Sequence, residues 1–479
     1  MNIIPTPKVI KKEPNGALKF YAPSMKENPE FLAAQEAFVA YADRLYGIKV
    51  AVKEEGHIQV VRDEKMAFEE YRIEVSEDTI VIYAKDSVGI NHGFATLLQA
   101  MQEEDGNILL PEMVIEDKPD CSYRGLMVDL ARNWHPFSYL LSYVDMCYFY
   151  KVAVLQLHFT DDQSYTLPSD LYPDLSTKER FYTKEQIKEL VEYANARGVE
   201  LSPEIDVPGH CKSFGKAYGE IFGTKGIICQ HEDSMEAMRN LFRELCDMFP
   251  YSKYVHIGGD EAYAMEEWIK CEKCREYTRS VGIDADMEDK RELAELMYAH
   301  FISEMAEVCF QKGKQPIVWE GFAKSVNDKI LKNILVMSWE NYYQLTSELL
   351  DAGFQVINCS WNPMYVVAPL TMWTPKEVYD WSVYKWKAVH GGSPIIETGY
   401  EAEPNKQIIG GQLLAWGDHI PTHSPSIAEG VRGERINLLE RLPMLAQNTW
   451  NVEKVCDYEN FAKKAELLHE KIEKTFEYL

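Results

Sequence analysis

Beyond residue 118 the hydrophobic pattern switches period repeatedly. Short, mostly apolar runs cover 122–130, 152–159, 199–205, 254–257, 316–319, 334–339, 354–359 and 411–416. Between them lie longer stretches with apolar residues at every third or fourth position, such as 184–197, 235–249 and 291–311. The first kind predicts buried strands and the second amphipathic helices. Eight strands alternating with helices is the pattern of a (β/α)8 TIM barrel. A doubly wound open sheet is the structural alternative, but no glycine-rich phosphate fingerprint opens any of these helices.

Ahead of the barrel, residues 1–117 read as a smaller α+β domain. An amphipathic helix over 31–46 stops at Gly47, strands over 71–75 and 79–83 flank a polar turn, and a second helix covers 93–101. The polar segment 116–120 reads as the linker, 118–450 as the barrel, and 451–479 as a charged helix packing on its outside.

Composition narrows the partners. With 50 basic and 76 acidic residues the net charge is −26, which argues against nucleic acid and anionic membranes. The N-terminus lacks the basic and apolar regions of a signal peptide, and no apolar run reaches the ~18 residues of a membrane span. Ten cysteines without framework spacing read as reduced thiols of a cytoplasmic protein. Cys271 and Cys274 form one C-x-x-C, half of a zinc site or a redox pair; with no second such motif, a helical surface pair is the plainer reading.

In a barrel the chemistry sits at the C-terminal ends of the strands. Those ends carry Asp129 and Arg132, then Asp161 and Asp162, then Glu204, Asp206 and His210, then Asp260 and Glu261. The later ends carry Trp319-Glu320, Trp339-Glu340, Trp361 and Tyr365, and Trp416 and Asp418. Each alone has a structural explanation, a cap or a packed ring. Together they supply what a sugar pocket needs: aromatic faces for the ring, and charged groups for paired hydroxyls.

Asp260 and Glu261 pose a particular problem. Adjacent residues of an extended strand point to opposite faces, so two acids in a row cannot easily share one bond. Gly258-Gly259 ahead of them permits a sharp turn. The two charges would repel, so one acid is expected to have a raised pKa, as suits a general acid. Adjacency also fits a substrate that brings its own nucleophile. A 2-acetamido group can attack the anomeric carbon while one acid protonates the leaving oxygen and the other orients the amide, the substrate-assisted exception to two-carboxylate catalysis.

These residues resemble glycoside hydrolase family 20, the β-N-acetylhexosaminidases. The resemblance rests on His256-Ile257-Gly258-Gly259-Asp260-Glu261, with support from 123–132, 157–163 and 203–210 in family order. It implies an exo-acting, retaining enzyme that releases terminal β-linked GlcNAc, or GalNAc, through an oxazolinium intermediate, with no metal and no cofactor. Glu261 would be the acid/base, Asp260 the amide-orienting carboxylate, and Tyr365 the donor to the acetamide oxygen. Arg132 and Asp161 would bind the 3- and 4-hydroxyls, His210 would support the pair, Trp319, Trp339 and Trp416 would wall the pocket, and Asp418 would contact the 4- and 6-hydroxyls. Tyr365-Val366-Val367 departs from the family's Tyr-x-Asp or Tyr-x-Asn, and Asp418 stands where Glu is common; both changes fall near the 4- and 6-hydroxyls. Family members often pair barrels, which leaves a homodimer open. The competing readings are a sugar-binding protein on an inactive barrel, and a metal-dependent hydrolase with Asp161, His210, Asp260 and Glu261 as ligands.

Overall fold

The computed structural model describes residues 2–12, 18–370 and 372–472. Its larger part is a closed barrel of eight parallel strands: β1 (Tyr123–Asp129), β2 (Val154–His158), β3 (Glu200–Glu204), β4 (Tyr254–His256), β5 (Gln315–Trp319), β6 (Leu335–Ser338), β7 (Gln355–Asn358) and β8 (Ile408–Ala415). Each pairs with the next, and β8 closes on β1, from Tyr123 opposite Gly410 to Val128 opposite Ala415. All eight predicted strands are present, in the predicted order, with ends displaced by up to three residues. The strands read as continuous apolar runs because helices cover their outer faces.

The helices obey local rules. Lys184–Ala196 opens on a capping box between Thr183 and Gln186, and Lys290–Gln311 opens on Asp289, which accepts the N–H groups of Arg291 and Glu292. Each side chain satisfies backbone donors that a helix start leaves unpaired.

The N-terminal region holds a seven-stranded mixed sheet with two helices, Leu32–Tyr46 and Ser87–Ala100. Gly47 ends the first in the left-handed conformation (φ 67°), which glycine adopts without a Cβ clash. The second helix was expected to start at residue 93; it starts at Ser87, capped by Asp86. Polar residues at 91 and 92 hid its first turns. From Gly89 to Ala100 every residue is buried, because the helix lies between its own sheet and the first barrel helix, Phe137–Tyr150. Asn91 satisfies its amide on the carbonyls of Ser87 and Ala196, the latter in the barrel region.

The linker reading of 116–120 needs correction. Met113–Asp117 is a paired strand, and Asp117 is a buried acceptor for Tyr71 Oη (2.6 Å), Trp450 Nε1 (2.8 Å) and the Lys8 N–H (3.1 Å). Polar composition here marks a seam, not an exposed tether. Beside it, Arg124 of β1 is fully buried and reaches Glu69 across the seam at 2.6 and 3.1 Å. Its remaining donors go to the carbonyls of Cys121 and Lys151. Helix Tyr458–Ile472 packs Phe461 against Tyr379, and its Lys471 ammonium caps the carbonyls of Gln99 and Met101. The predicted C-terminal helix thus bridges both regions; residues 473–479 of that expectation lie outside the described residues. Among the described residues no helix is long and apolar enough to cross a membrane.

Removing one partner of a buried pair strands the other charge. Glu69→Ala is therefore expected to lower unfolding stability by about 3–5 kcal/mol, and Glu69→Gln, which keeps an acceptor for Arg124, by less. Urea unfolding of the two variants checks this; equal stability of Glu69→Ala and wild type would show that the seam is not held by this pair.

Candidate active site

A line of polar side chains runs up the barrel axis. Tyr123 Oη donates to Gln412 Oε1 (2.8 Å), Gln412 Nε2 to Gln156 Oε1 (2.7 Å), and Gln156 Nε2 to Glu204 Oε2 (2.8 Å). Glu204, the last residue of β3, is fully buried. It also faces His158 Nδ1 at 2.8 Å, Trp319 Nε1 at 2.7 Å and His256 Nδ1 at 3.1 Å. Burial alone would raise its pKa, but the His256 and His158 imidazoles hold it well below the usual carboxylate range. Burial would likewise depress His158; Glu204 and Asp161, one on each ring nitrogen, hold it well above the usual imidazole range.

Asp161 carries the network to the rim. Burial pushes its carboxyl up, and Arg132 with His158 and His210 pulls it well below the ordinary value. Arg132 is the hub: Nη2 lies 2.8 Å from Asp161, Nη1 3.0 Å from Asp129, and Nε 3.1 Å from Asp418. Its guanidinium also sits over the Trp416 ring, 5.0 Å from the centroid. Asp418, one methylene shorter than the family's usual Glu, still reaches Arg132 while remaining 47% exposed. His210 follows, with Nδ1 3.3 Å from Asp161 and Nε2 3.3 Å from Glu261 and 3.9 Å from Asp260. Burial opposes its charged form, but Asp206 and the surrounding acids keep its pKa well above the imidazole value.

The adjacency of Asp260 and Glu261 is resolved by the backbone. Gly258 (φ 83°), Gly259 (φ 105°) and Glu261 (φ 47°) all lie in the left-handed region, so the chain turns almost at every residue and both carboxylates leave on the pocket side. A Cβ at Gly258 would stand 2.0 Å from Asp206 Oδ1, so glycine is required there. Glu261 and His210 (φ 43°) have no such exemption. Non-glycine residues held in that region are strained, and the surrounding structure must fix them.

The two acids differ in environment. Asp260 is buried, its Oδ1 without a protein partner, and burial followed by the Glu261 charge raises its pKa despite His210. Glu261 is 36% exposed; its hydrogen bond to His210, aided by that of Tyr263 (2.9 Å), lowers its pKa. The raised pKa expected of the general acid therefore falls, in the unliganded protein, on the neighbouring Asp260.

Aromatic rings close the other side. Trp319, Trp416, Tyr365, Trp361 and Trp339 follow one another at centroid separations of 6.0, 6.1, 5.1 and 5.9 Å. Tyr365 lies near enough to Asp260 for that charge to add to the burial that raises the phenol's pKa. Trp339 is fixed by Glu320, the residue after β5. Glu320 accepts the N–H groups of Asn341 (2.8 Å), Tyr343 (3.2 Å) and Trp339 (3.3 Å), while burial pushes its carboxyl up to about 7.

All ten residues singled out in the sequence, Arg132, Asp161, His210, Asp260, Glu261, Trp319, Trp339, Tyr365, Trp416 and Asp418, thus fall on one rim within this connected set. Sequence reasoning gave no role to Glu204, His158, Asp206 or Tyr263. Glu204 and His158 were detectable as charged residues closing otherwise apolar strands; Tyr263 carried no signal beyond its place two residues after Glu261. Among the described residues, the groups close enough to hold a metal ion are His158-Glu204-Asp206 and Asp161-Asp206-His210. In both, the carboxylates of Glu204 and Asp161 already face cationic side chains, and Asp206, raised well above the carboxylate range by burial and Asp260, is a poor anionic ligand.

The sequence matches the catalytic domain of glycosyl hydrolase family 20 over residues 121–452 and domain 2 of the same family over 1–118. The chain belongs to glycosyl hydrolase family 20. It is 35% identical to a β-hexosaminidase of Akkermansia muciniphila over 279 residues, 52% of this chain and 55% of that relative. It is 25% identical to the human β-hexosaminidase subunit beta over 452 residues, 87% of this chain and 77% of that one. Its fold resembles that of an exo β-N-acetylglucosaminidase from Vibrio harveyi, with a TM-score of 0.78 at 20% identity, covering 99% of this chain and 77% of the other. The β-N-acetylhexosaminidase of Bacteroides fragilis gives a TM-score of 0.78 at 23% identity, covering 100% and 96%. The chain spans about half the length of the Akkermansia relative and about three quarters of the human one.

Tyr263→Phe removes one of the two hydrogen bonds that hold Glu261 in its ionised form. Its pKa should then rise, so that the high-pH limb of the kcat/KM profile for glycoside hydrolysis moves to higher pH. His210→Gln, which removes the larger cause, should move it further. A limb that stays in place in both variants would show that Glu261 does not set it.

Proposed function

We propose that this family 20 glycoside hydrolase is an exo-acting, retaining β-N-acetylhexosaminidase that releases terminal β-linked GlcNAc by substrate-assisted catalysis, with GalNAc as the second substrate to compare. The observation that carries the reading is the unequal pair on the left-handed turn: one acid buried beside the aromatic box, the other half-exposed. Among the described residues the other carboxylates of this rim have partners of their own, Asp418 facing Arg132 Nε at 3.1 Å. Asp161 is committed to Arg132 and two histidines, and Asp206 is buried with a raised pKa. A nucleophile on the sugar itself fits that arrangement.

In the first step the protonated Glu261 gives its proton to the glycosidic oxygen as the C1–O bond breaks. The acetamide carbonyl oxygen forms a bond to C1 from the opposite face. Asp260 accepts the amide N–H and balances the positive oxazolinium, while Tyr365 donates to the oxygen that attacks. Water then adds at C1, Glu261 takes its proton, and the acetamide is restored on a β-configured product.

Binding of a substrate shifts both acids. In the free protein burial raises the Asp260 carboxyl above its ordinary value, while the His210 hydrogen bond lowers that of Glu261. An amide N–H offered to the unpaired Asp260 Oδ1 stabilises the Asp260 anion, and an aglycone covering Glu261 removes its solvent. Both effects move the proton toward the acid that must donate it. Arg132, Asp161 and Asp418 would hold the hydroxyls. A cytoplasmic location remains part of this reading; all ten cysteines are unpaired, as a reducing compartment would keep them.

Nitrophenyl β-glycosides of GlcNAc, GalNAc and glucose test it. The N-acetyl substrates should turn over and the glucoside should not. Glu261→Gln and Asp260→Asn should each lose about 10²–10⁴ in kcat/KM. Equal turnover of glucoside and N-acetylglucosaminide would refute the sugar-borne nucleophile, and no turnover of any would favour a binding protein.

A further inference from the structure

One buried carboxyl of the rim takes no part in the mechanism. Glu320, the residue after β5, has no exposed surface, and its side chain serves the backbone of the next strand end. It accepts the N–H groups of Asn341 (2.8 Å), Tyr343 (3.2 Å) and Trp339 (3.3 Å). The turn after β6 is therefore wound around this carboxylate. Asn341 is held there in the left-handed region (φ 55°), where a residue with a side chain is strained and its surroundings must fix it. Thr346 supplies part of that fixing, donating its N–H (2.6 Å) and its hydroxyl (2.8 Å) to Asn341 Oδ1.

The backbone of Glu320 links the same turn to the catalytic acids. Its carbonyl accepts Trp339 Nε1 (2.8 Å), so carboxylate and carbonyl grip the main chain and the ring of one tryptophan. Gly321, the next residue, lies on the catalytic turn: a Cβ there would stand 2.2 Å from the Gly259 carbonyl oxygen and 2.9 Å from Asp260 Cα. Trp319, the residue before, donates its N–H to the Gly258 carbonyl (2.9 Å). Glu320 thus sits between two residues that touch the turn bearing Asp260 and Glu261, and it ties Trp339 to that segment.

Trp339 in turn shapes the pocket. Its ring lies nearly parallel to that of Tyr365 (11°, centroids 6.4 Å apart), and its carbonyl accepts the Trp361 N–H (3.1 Å). The neighbouring acid Glu340 points elsewhere. Its Oε1 accepts the Val389 N–H (2.9 Å), and Ser393 Oγ donates to the carbonyls of Glu340 and Asn341 (2.9 and 3.1 Å). Those bonds tie the outer end of the turn to the segment 389–393, and leave the inner end, with Trp339, to Glu320. Burial lifts the Glu320 carboxyl to about 7 in spite of its three N–H partners, so the group is kept there at a cost in desolvation.

We propose, on the substrate-assisted reading above, that Glu320 is a positioning residue that sets the acyl specificity of the site, holding Trp339 so that a 2-acetamido group fits and a longer 2-acylamino group does not. In that mechanism Asp260 and Tyr365 touch the amide, and Trp339, stacked beside Tyr365, bounds the space left for the acyl methyl. The acyl oxygen must reach C1 while the amide N–H meets Asp260, and an arrangement of this kind is lost by small displacements. With the carboxylate in place, one more methylene has to displace a ring whose main chain and indole N–H are both bonded to Glu320. With it gone the ring yields, and the shorter acyl group loses its alignment. Glutamine keeps the length of the side chain but sets an NH2 against at least one backbone N–H. Aspartate keeps the charge and draws it back by one methylene.

Steady-state kinetics of the full chain on nitrophenyl β-glycosides of N-acetyl- and N-propionylglucosamine test this, with the glucoside as reference. One methylene in a closed pocket is worth about 10–200-fold, so wild type should favour the N-acetyl substrate by a factor in that range. Glu320→Gln should lower that factor about tenfold, mainly through a fall in kcat on the N-acetyl substrate. Glu320→Asp, which keeps a carboxylate, should recover part of it. Thr346→Val, which loosens the turn at Asn341 without touching the carboxyl, should lower the factor in the same direction and by less. A folded Glu320→Gln that slows both substrates alike and keeps the factor would overturn the proposal, as would a wild type that accepts both acyl groups equally. Where Glu320→Gln fails to fold, the Thr346→Val factor decides. Wild-type turnover of the glucoside as fast as of the N-acetyl substrate would instead remove the substrate-assisted reading itself.

Discussion

A charge on the barrel axis is the constraint on which the site depends. Glu204 has no access to water, and an isolated carboxylate there would be expelled or neutralised. It persists because three donors converge on it, the Gln156 amide, the Trp319 indole and the His158 imidazole, with the His256 ring, whose Nδ1 accepts the Gly258 N–H, 3.1 Å away. The dependence runs both ways. Trp319 stands where it does because its indole N–H is spent on Glu204, and His158 is cationic because Glu204 is anionic. That cation then orients Asp161, which orients Arg132 and His210. A single strand-end carboxylate therefore fixes one aromatic wall, the Arg132 guanidinium and the His210 imidazole beside Glu261.

The catalytic turn is the complementary case, in which backbone strain does the positioning. Left-handed residues at 258, 259 and 261 bring two consecutive carboxylates to one side, against the alternation of an extended chain. Such a turn survives only if the surroundings hold it. Tyr298 donates to the Gly259 carbonyl and the Gly259 N–H donates to Asp206. Gly209 brings the His210 loop so close that a Cβ there would lie 2.9 Å from the Asp260 carbonyl. The strained His210 and the strained Glu261 brace one another across that contact.

How much of this was legible in the sequence follows from what kind of signal each feature leaves. Strands buried on both faces leave short, mostly apolar runs, so all eight could be placed. Strand-end position then selected the site residues without any knowledge of distance. Features whose logic is tertiary left weaker marks. The first turns of helix Ser87–Ala100 carry polar residues satisfied by another region of the chain, which broke the apolar period. Asp117 looked like linker because a buried acceptor has the same composition as an exposed one. Glu204 was visible as a letter but not as an axis, since its three donors come from strands β2 and β5. Repulsion between neighbours says that one of the two acids rises, and only burial, which falls on Asp260, says which.

That last point bears on how a substrate could switch the site on. A free enzyme with its acid already protonated would need no rearrangement, but it would present an uncharged Glu261 to bulk water, where carboxyls ionise. Here the exposed position, the His210 hydrogen bond and the Tyr263 hydroxyl all favour the charged form, while the buried neighbour keeps an unpaired oxygen. On the proposed mechanism, an amide N–H donated to the Asp260 carboxylate would stabilise its anion. An acetamide would then serve twice, as the nucleophile that the sugar brings and as the donor that stabilises the Asp260 anion, and both demands would meet at the same two adjacent residues.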